Sequence, residues 1–182
     1  MATASRRRLA ADAWGALLQT HAALVPQLDR AVREHSGLPL AWYDVLLELA
    51  TADEGRLRMS DLAARVVLSR TRISRVVDEL AGAGLVSREQ NPADGRSAFA
   101  VITRQGRRRF EQAAPGYLEQ IERRFAAGLT DDELRTIARA LRRTATHDIG
   151  TDRPHPSARH TSAKGPGRIG QVLPTPPTGP RT

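Results

Sequence analysis

Apolar residues recur at helical spacing along both flanks of this chain, and the period changes in between. From about Leu9 to His35, the residues Ala10, Ala13, Trp14, Leu17, His21, Leu24, Leu28 and Val32 keep to one stripe, as in an amphipathic helix. Pro26 falls inside that stripe, and because the period continues beyond it, a kink rather than a stop is expected there. Ser36-Gly37-Leu38-Pro39 reads as a turn, with Pro39 near the first turn of a second helix that runs to about Ala52. Trp42, Val45, Leu46 and Leu49 fit one face of it, and Tyr43, Leu46, Leu47 and Ala50 an overlapping one. Such a helix is covered on two sides, and Asp44 and Glu48 mark its polar edge.

Ser60 is placed to cap a short helix to about Val67, and Ser69 to cap another to about Ala83. Leu85 to Glu89 and Ala98 to Ile102 then read as the arms of a β-hairpin around Asn91-Pro92-Ala93-Asp94-Gly95. A long helix follows from about Arg104 to Ala127, with Phe110, Ala113, Ala114, Tyr117, Leu118, Ile121 and Phe125 inward and a bend expected at Pro115. Thr130-Asp131-Asp132-Glu133 is a capping box. It opens a last helix to about Ala145 that carries the stripe Leu134, Ile137, Ala138 and Leu141.

The fold class that results is mainly α with a small β-hairpin wing: a winged helix-turn-helix flanked by long dimerisation helices. Residues 1–8 read as a basic N-terminal arm and 39–103 as the winged helix. The flanking helices, about 9–36 and 104–147, expose stripes too broad for a monomer to bury, so a homodimer with these helices interleaved is expected. From 148 to 182 Pro, Gly, Thr, Ser and scattered basic residues dominate, as in Pro174-Thr175-Pro176-Pro177. That stretch reads as a disordered basic tail, either an added source of non-specific DNA affinity or an inert extension.

Charge sharpens the picture. The 182 residues carry 28 Lys+Arg against 20 Asp+Glu, a net charge of +8, and Lys164 is the one lysine. A basic balance fits nucleic acid or an anionic membrane surface, and arginine suits bidentate contact with phosphate and guanine. With no cysteine, disulfides, thiolate metal sites and thiol redox sensing are excluded. Neither a secretory signal nor a run near the ~20 apolar residues of a membrane span is present, so a cytoplasmic location without membrane contact is expected. No Ser/His/Asp arrangement, phosphate-cradling glycine loop or His/carboxylate set at metal spacing is found; no enzyme, metal or cofactor is expected.

Candidate chemistry gathers in the helix that Ser69 opens. Ile73, Val76, Val77 and Leu80 follow i, i+3, i+4, i+7 and face the core. That leaves Ser69, Arg70, Thr71, Arg72, Ser74 and Arg75 at the outer amino-terminal end, the part a recognition helix presents to base edges in the major groove. The hairpin adds Arg88, Asp94 and Arg96. An arginine at a hairpin tip suits the minor groove, where Asp94 would orient the Arg96 guanidinium; the alternative is a surface ion pair.

The order Leu85-Val86-x-Arg88, Asp94-x-Arg96 and Ile102-Thr103-x-x-Gly106, after a Ser-capped helix ending Val77-Asp78-Glu79-Leu80, resembles the MarR family of bacterial regulators. The resemblance covers roughly residues 9 to 147 and departs from the family in Pro26 and the basic C-terminal extension. It implies a homodimer with a winged helix on each subunit, binding double-stranded DNA at a pseudo-palindromic operator, usually as a repressor. Arg70, Thr71, Ser74 and Arg75 take the recognition-helix role by this resemblance, and Arg96 the wing role. It also implies release by a small, often phenolic or otherwise aromatic, ligand between the dimer helices and the winged domain. The nearby candidates for that pocket are Trp14, His21, Trp42, Tyr43 and Tyr117, a set of aromatics with polar groups suited to such an effector. The rival reading is a winged-helix module for protein–protein assembly without specific DNA binding.

Overall fold

The computed structural model describes residues 2–66, 68–91 and 94–147, with backbone alone for residues 2, 70, 94–96 and 145–147. The tail expected over 148–182 lies outside the described residues. Contacts divide the chain into two compact units, with boundaries at Pro26/Gln27 and Tyr117/Leu118. These boundaries fall inside two helices.

The unit running from Gln27 to Tyr117 is a winged helix. It takes the end of helix α1 (Ala2–Ser36), then α2 (Leu40–Thr51), strand β1 (Arg56–Arg58), α3 (Met59–Arg65), α4 (Arg70–Gly82), β2 (Val86–Asn91), β3 (Asp94–Ile102) and most of α5 (Arg104–Ile121). Helix α2 is buried nearly all round, through Leu40, Tyr43, Val45, Leu46, Leu47 and Leu49, as its apolar composition requires. Its start is fixed from α1: the Leu40 N–H donates to Asp29 Oδ1 at 2.8 Å, and Arg33 pairs with the same carboxylate at 3.0 Å. Partial burial works against charge on Asp29, yet the Leu40 N–H and Arg33 outweigh it and hold its carboxyl below the ordinary value. On the α5 side, the Tyr43 ring packs against Phe110 and Tyr117 with centroids 5.2 and 4.7 Å apart.

The sheet has the order β1-β3-β2, antiparallel throughout, with Leu57 opposite Ala100 and Val86 opposite Ile102. Strand β1 was not among the expected elements. Three residues alternating exposed, buried, exposed are too few for a period to emerge, and it is the register with β3 that makes them a strand. The hairpin arms are longer than expected, pairing as far as Asn91 with Asp94, so Asp94-Gly95-Arg96 belongs to β3 rather than to the turn.

A second correction concerns Ser60. Helix α3 begins at Met59 and ends at Arg65, its N-cap is Arg58, and no side chain caps it. Ser60 already lies inside the first turn, past the position from which a side-chain oxygen could accept a free amide of that turn, and its hydroxyl donates instead to the Asp61 carboxylate at 3.3 Å.

The other unit contains α1 as far as Pro26, the end of α5 from Leu118, a π-helical turn at Glu122–Ala126, and α6 (Asp131–His147). Helix α1 begins at Ala2, so Arg6, Arg7 and Arg8 are helical, and it is continuous through Pro26. The expected capping box is present: Glu133 accepts from the Thr130 N–H at 2.8 Å, and the Glu133 N–H meets Thr130 Oγ1 at 3.4 Å. The Thr130 N–H first, and then the Thr130 hydroxyl, which donates to the same carboxylate at 2.8 Å, hold the Glu133 carboxyl below its ordinary value. Leu9, Trp14, Leu17 and Leu18 on α1 and Leu141 on α6 stand exposed.

Candidate nucleic-acid interface

Helix α4 separates its residues as the spacing required. Ile73, Val76, Val77 and Leu80 are all at most 5% exposed, and sealing each such side chain contributes about 1.5–3 kcal/mol. Thr71, Arg72, Ser74 and Arg75 lie on the solvent side. The helix is closed at both ends. Ser69 Oγ accepts from the Arg72 N–H at 3.3 Å, the cap expected from sequence. At the other end Gly84 takes φ +71°, with Gly84 N–H to Ala81 O at 3.0 Å and Leu85 N–H to Leu80 O at 2.9 Å. This is a Schellman motif, in which the left-handed residue must carry no Cβ to be unstrained. The side chain of Arg70 lies outside the described residues.

Around the outer residues stands a set of ion pairs. Arg88, on β2, places Nη2 2.8 Å from Asp78 Oδ1 and 3.3 Å from the Ser74 carbonyl oxygen. It therefore joins the base of the wing to the recognition-type helix. Arg75 is 82% exposed and pairs through Nε with Glu79 Oε1 at 3.4 Å. The indole N–H of Trp42 donates to the other Glu79 oxygen at 3.1 Å. Farther along the wing, buried Asn91 donates through Nδ2 to Ser97 Oγ at 2.8 Å. The backbone puts Asp94 and Arg96 in the first turn-proximal residues of β3, while their side chains lie outside the described residues.

The exit from the wing explains the Thr103-x-x-Gly106 spacing. Thr103 Oγ1 accepts from the Gly106 N–H at 2.9 Å, capping α5, and donates to the Gly84 carbonyl at 2.8 Å. Gly106 lies so close to Leu85 that an added Cβ would meet the Leu85 carbonyl oxygen at 2.0 Å. One threonine and one glycine thus join the end of α4 to the start of α5.

The five aromatic and histidine candidates for a ligand pocket are distributed as follows. Tyr43 and Tyr117 are buried in ring contact; burial raises both hydroxyl pKa values, that of Tyr117 to about 12 with Asp44 adding to the effect. Trp42 lines a surface cleft of about 570 Å³ with Arg33, Thr71, Arg72, Arg75 and Glu79. Trp14 and His21 belong to the other unit and are exposed there. Asp44 is half-buried, and burial, then the nearby Glu48, raises its carboxyl to about 6. Asp78, Glu79 and Asn91 had been given no role from sequence. The i, i+4 spacing of Arg75 and Glu79 signals their pairing, but nothing local in sequence joins Arg88 to Asp78. Among the described residues no group of three or more His, Asp or Glu could hold a metal, and no helix is long and apolar enough to cross a membrane.

Comparison with known proteins gives the same outline. A family model described as MarR family matches residues 36–97. The structure is similar to Sco3205, a MarR family transcriptional regulator from Streptomyces coelicolor solved in complex with DNA. The TM-score is 0.67 at 30% identity, covering 73% of this chain and 86% of that one. It is similar also to CouR from Rhodococcus jostii RHA1 bound to p-coumaroyl-CoA, with TM-score 0.64, 26% identity, and 76% and 95% of the two chains covered. In sequence it is 33% identical over 85 residues to the HTH-type transcriptional repressor YetL of Bacillus subtilis, covering 47% of this chain and 51%, about half, of that protein.

Proposed function

The chain belongs to the MarR family of transcriptional regulators, and from that premise we propose that it is a sequence-specific, homodimeric DNA-binding repressor acting in the cytoplasm. The observation that carries the reading is the division of α4: four sealed apolar residues behind, and Thr71, Arg72, Ser74 and Arg75 presented in front at its amino-terminal half. A helix held so at both ends can place those groups against base edges of a major groove. Arg75 suits guanine, and Thr71 and Ser74 suit bases or phosphates. Arg70 and Arg96 share these roles in the helix and the wing, with Asp94 orienting Arg96. Residues 39–103 serve as the reading head and the helices over 9–36 and 104–147 as the dimerisation part, consistent with exposed Leu9, Trp14, Leu17, Leu18 and Leu141. The tail over 148–182 adds non-specific affinity through its basic residues.

Release by a small aromatic ligand is part of the proposal; the similar CouR binds p-coumaroyl-CoA, whose acyl group carries a phenolic ring. The test of the main reading is a fluorescence-anisotropy titration against duplex DNA from upstream of the gene, repeated across a salt series. Phosphate contacts release counterions, so log K must fall with log salt by about 0.9 per contacted phosphate. Absence of binding, or binding indifferent to salt, refutes it.

A further inference from the structure

The two oxygens of the Glu79 carboxylate are divided between two helices. Oε1 lies 3.4 Å from Arg75 Nε, one turn back on α4, and Oε2 accepts the Trp42 indole N–H, from α2, at 3.1 Å. An exposed i, i+4 pair by itself is weak and leaves both side chains sampling several rotamers. A donor on a separate helix changes that. The indole N–H is donor-only, on a ring with few rotamers, and Trp42 is partly buried while Glu79 is 45% exposed. The carboxylate is therefore fixed from behind before the arginine reaches it. Because the pairing uses Nε, the two Nη groups of Arg75 remain at the outer end of the guanidinium, where they form a fork for two acceptors on one base. The same carboxylate carries a negative charge beside the surface meant for a polyanion, and it repels any phosphate that approaches without a matching base.

We infer that Glu79, anchored by Trp42, is a positioning residue that sets base discrimination through Arg75 and lowers affinity for unmatched DNA. This rests on the reading of α4 as the DNA-contacting helix. It predicts two effects of opposite sign when Glu79 is neutralised, a pattern that simple loss of a stabilising contact does not produce.

The test uses the full chain and a randomised duplex library, from which the preferred sequence is enriched and its single-base variants compared by anisotropy. Arg75→Ala identifies the base position that Arg75 reads. At that position Glu79→Gln is expected to lower discrimination about five- to tenfold, in the range of one bidentate base contact. On a non-matching duplex the same variant is expected to bind about two- to fivefold more tightly, with one fewer like charge facing the phosphates. Trp42→Phe keeps the charge and removes the donor, so it should relax discrimination while non-specific affinity stays within about twofold. If Arg75→Ala changes no base preference, the DNA-contact reading of Arg75 fails. If Arg75→Ala does change it but Glu79→Gln does not, or Glu79→Gln weakens matched and unmatched binding alike, the inference about Glu79 is overturned. If only Trp42→Phe is silent, the anchoring part is overturned.

Discussion

Replacing Gly106 by alanine sets two effects of opposite sign against each other. Alanine in a helix is favoured over glycine by about 1 kcal/mol, and Gly106 lies in the first turn of α5, so propensity alone predicts stabilisation. Packing predicts the reverse. The added Cβ would lie 2.0 Å from the Leu85 carbonyl oxygen, 3.0 Å from its carbonyl carbon and 3.1 Å from Ile102 Cγ1. Relief needs a shift of roughly 1 Å in buried backbone, and overpacking of this kind costs about 1–3 kcal/mol. The Leu85 oxygen that must move also accepts the Thr103 N–H at 3.0 Å; losing it adds about 1 kcal/mol. After the propensity gain, a net loss of ~1–3 kcal/mol remains. Urea unfolding at fixed protein concentration, followed by circular dichroism, should show the midpoint lowered by about 0.5–1.5 M with its slope unchanged. Gly82→Ala is the control, because nothing lies within 4 Å of its added Cβ, and its midpoint should hold or rise. A Gly106→Ala midpoint equal to or above the parent's would refute the close-approach argument.

Three further outcomes are expected. Asp44 keeps its proton to about pH 6 when folded, against an ordinary 3.8, so its contribution to stability is full below about pH 4 and is lost as pH rises through about 6. The corresponding ~3 kcal/mol, cut to about 1–2 kcal/mol by partial exposure to solvent, should be recovered at pH 7 by Asp44→Asn. Thermal melts between pH 4 and 7 would show it, and a variant as pH-dependent as the parent would contradict it. Arg88→Met should weaken DNA binding about three- to tenfold with the salt slope intact, because the guanidinium is engaged with α4; a slope reduced by about one would reassign Arg88 to a phosphate. Ser69→Ala should lower stability by about 1 kcal/mol through loss of the cap, read as a fall in urea midpoint, and an unchanged midpoint would show that the 3.3 Å contact contributes nothing.

Long elements with strong periods were legible from the residues alone. The α4 inward face, its Ser69 cap and the Thr130 capping box all depend on neighbours within a turn or two, where spacing in sequence is spacing in space. Ser60 misled because serine before an apolar run suits either a cap or a first turn, and here the helix already begins at Met59. Strand β1 escaped because three residues gain their strand character only from β3. The site divides along the same line. Outward arginines follow from the helix period, whereas the Arg88–Asp78 and Trp42–Glu79 contacts join residues 10 and 37 positions apart (88 − 78; 79 − 42). No local pattern encodes such pairs.

Arg88 holds the base of the wing to α4 at two points, a carboxylate and a backbone carbonyl. The consequence is metrical. A hairpin hinged freely would adapt to whatever groove lay beside the helix, whereas one bolted to it keeps a set distance between the helix and the base of the wing. With α4 and the wing in adjacent grooves, as proposed above, that set distance would act as a gauge for the step from a major groove to the neighbouring minor groove of B-form DNA. An A-form duplex, with its deep narrow major groove and shallow minor groove, offers no such step. It would be rejected on geometry before any base was read.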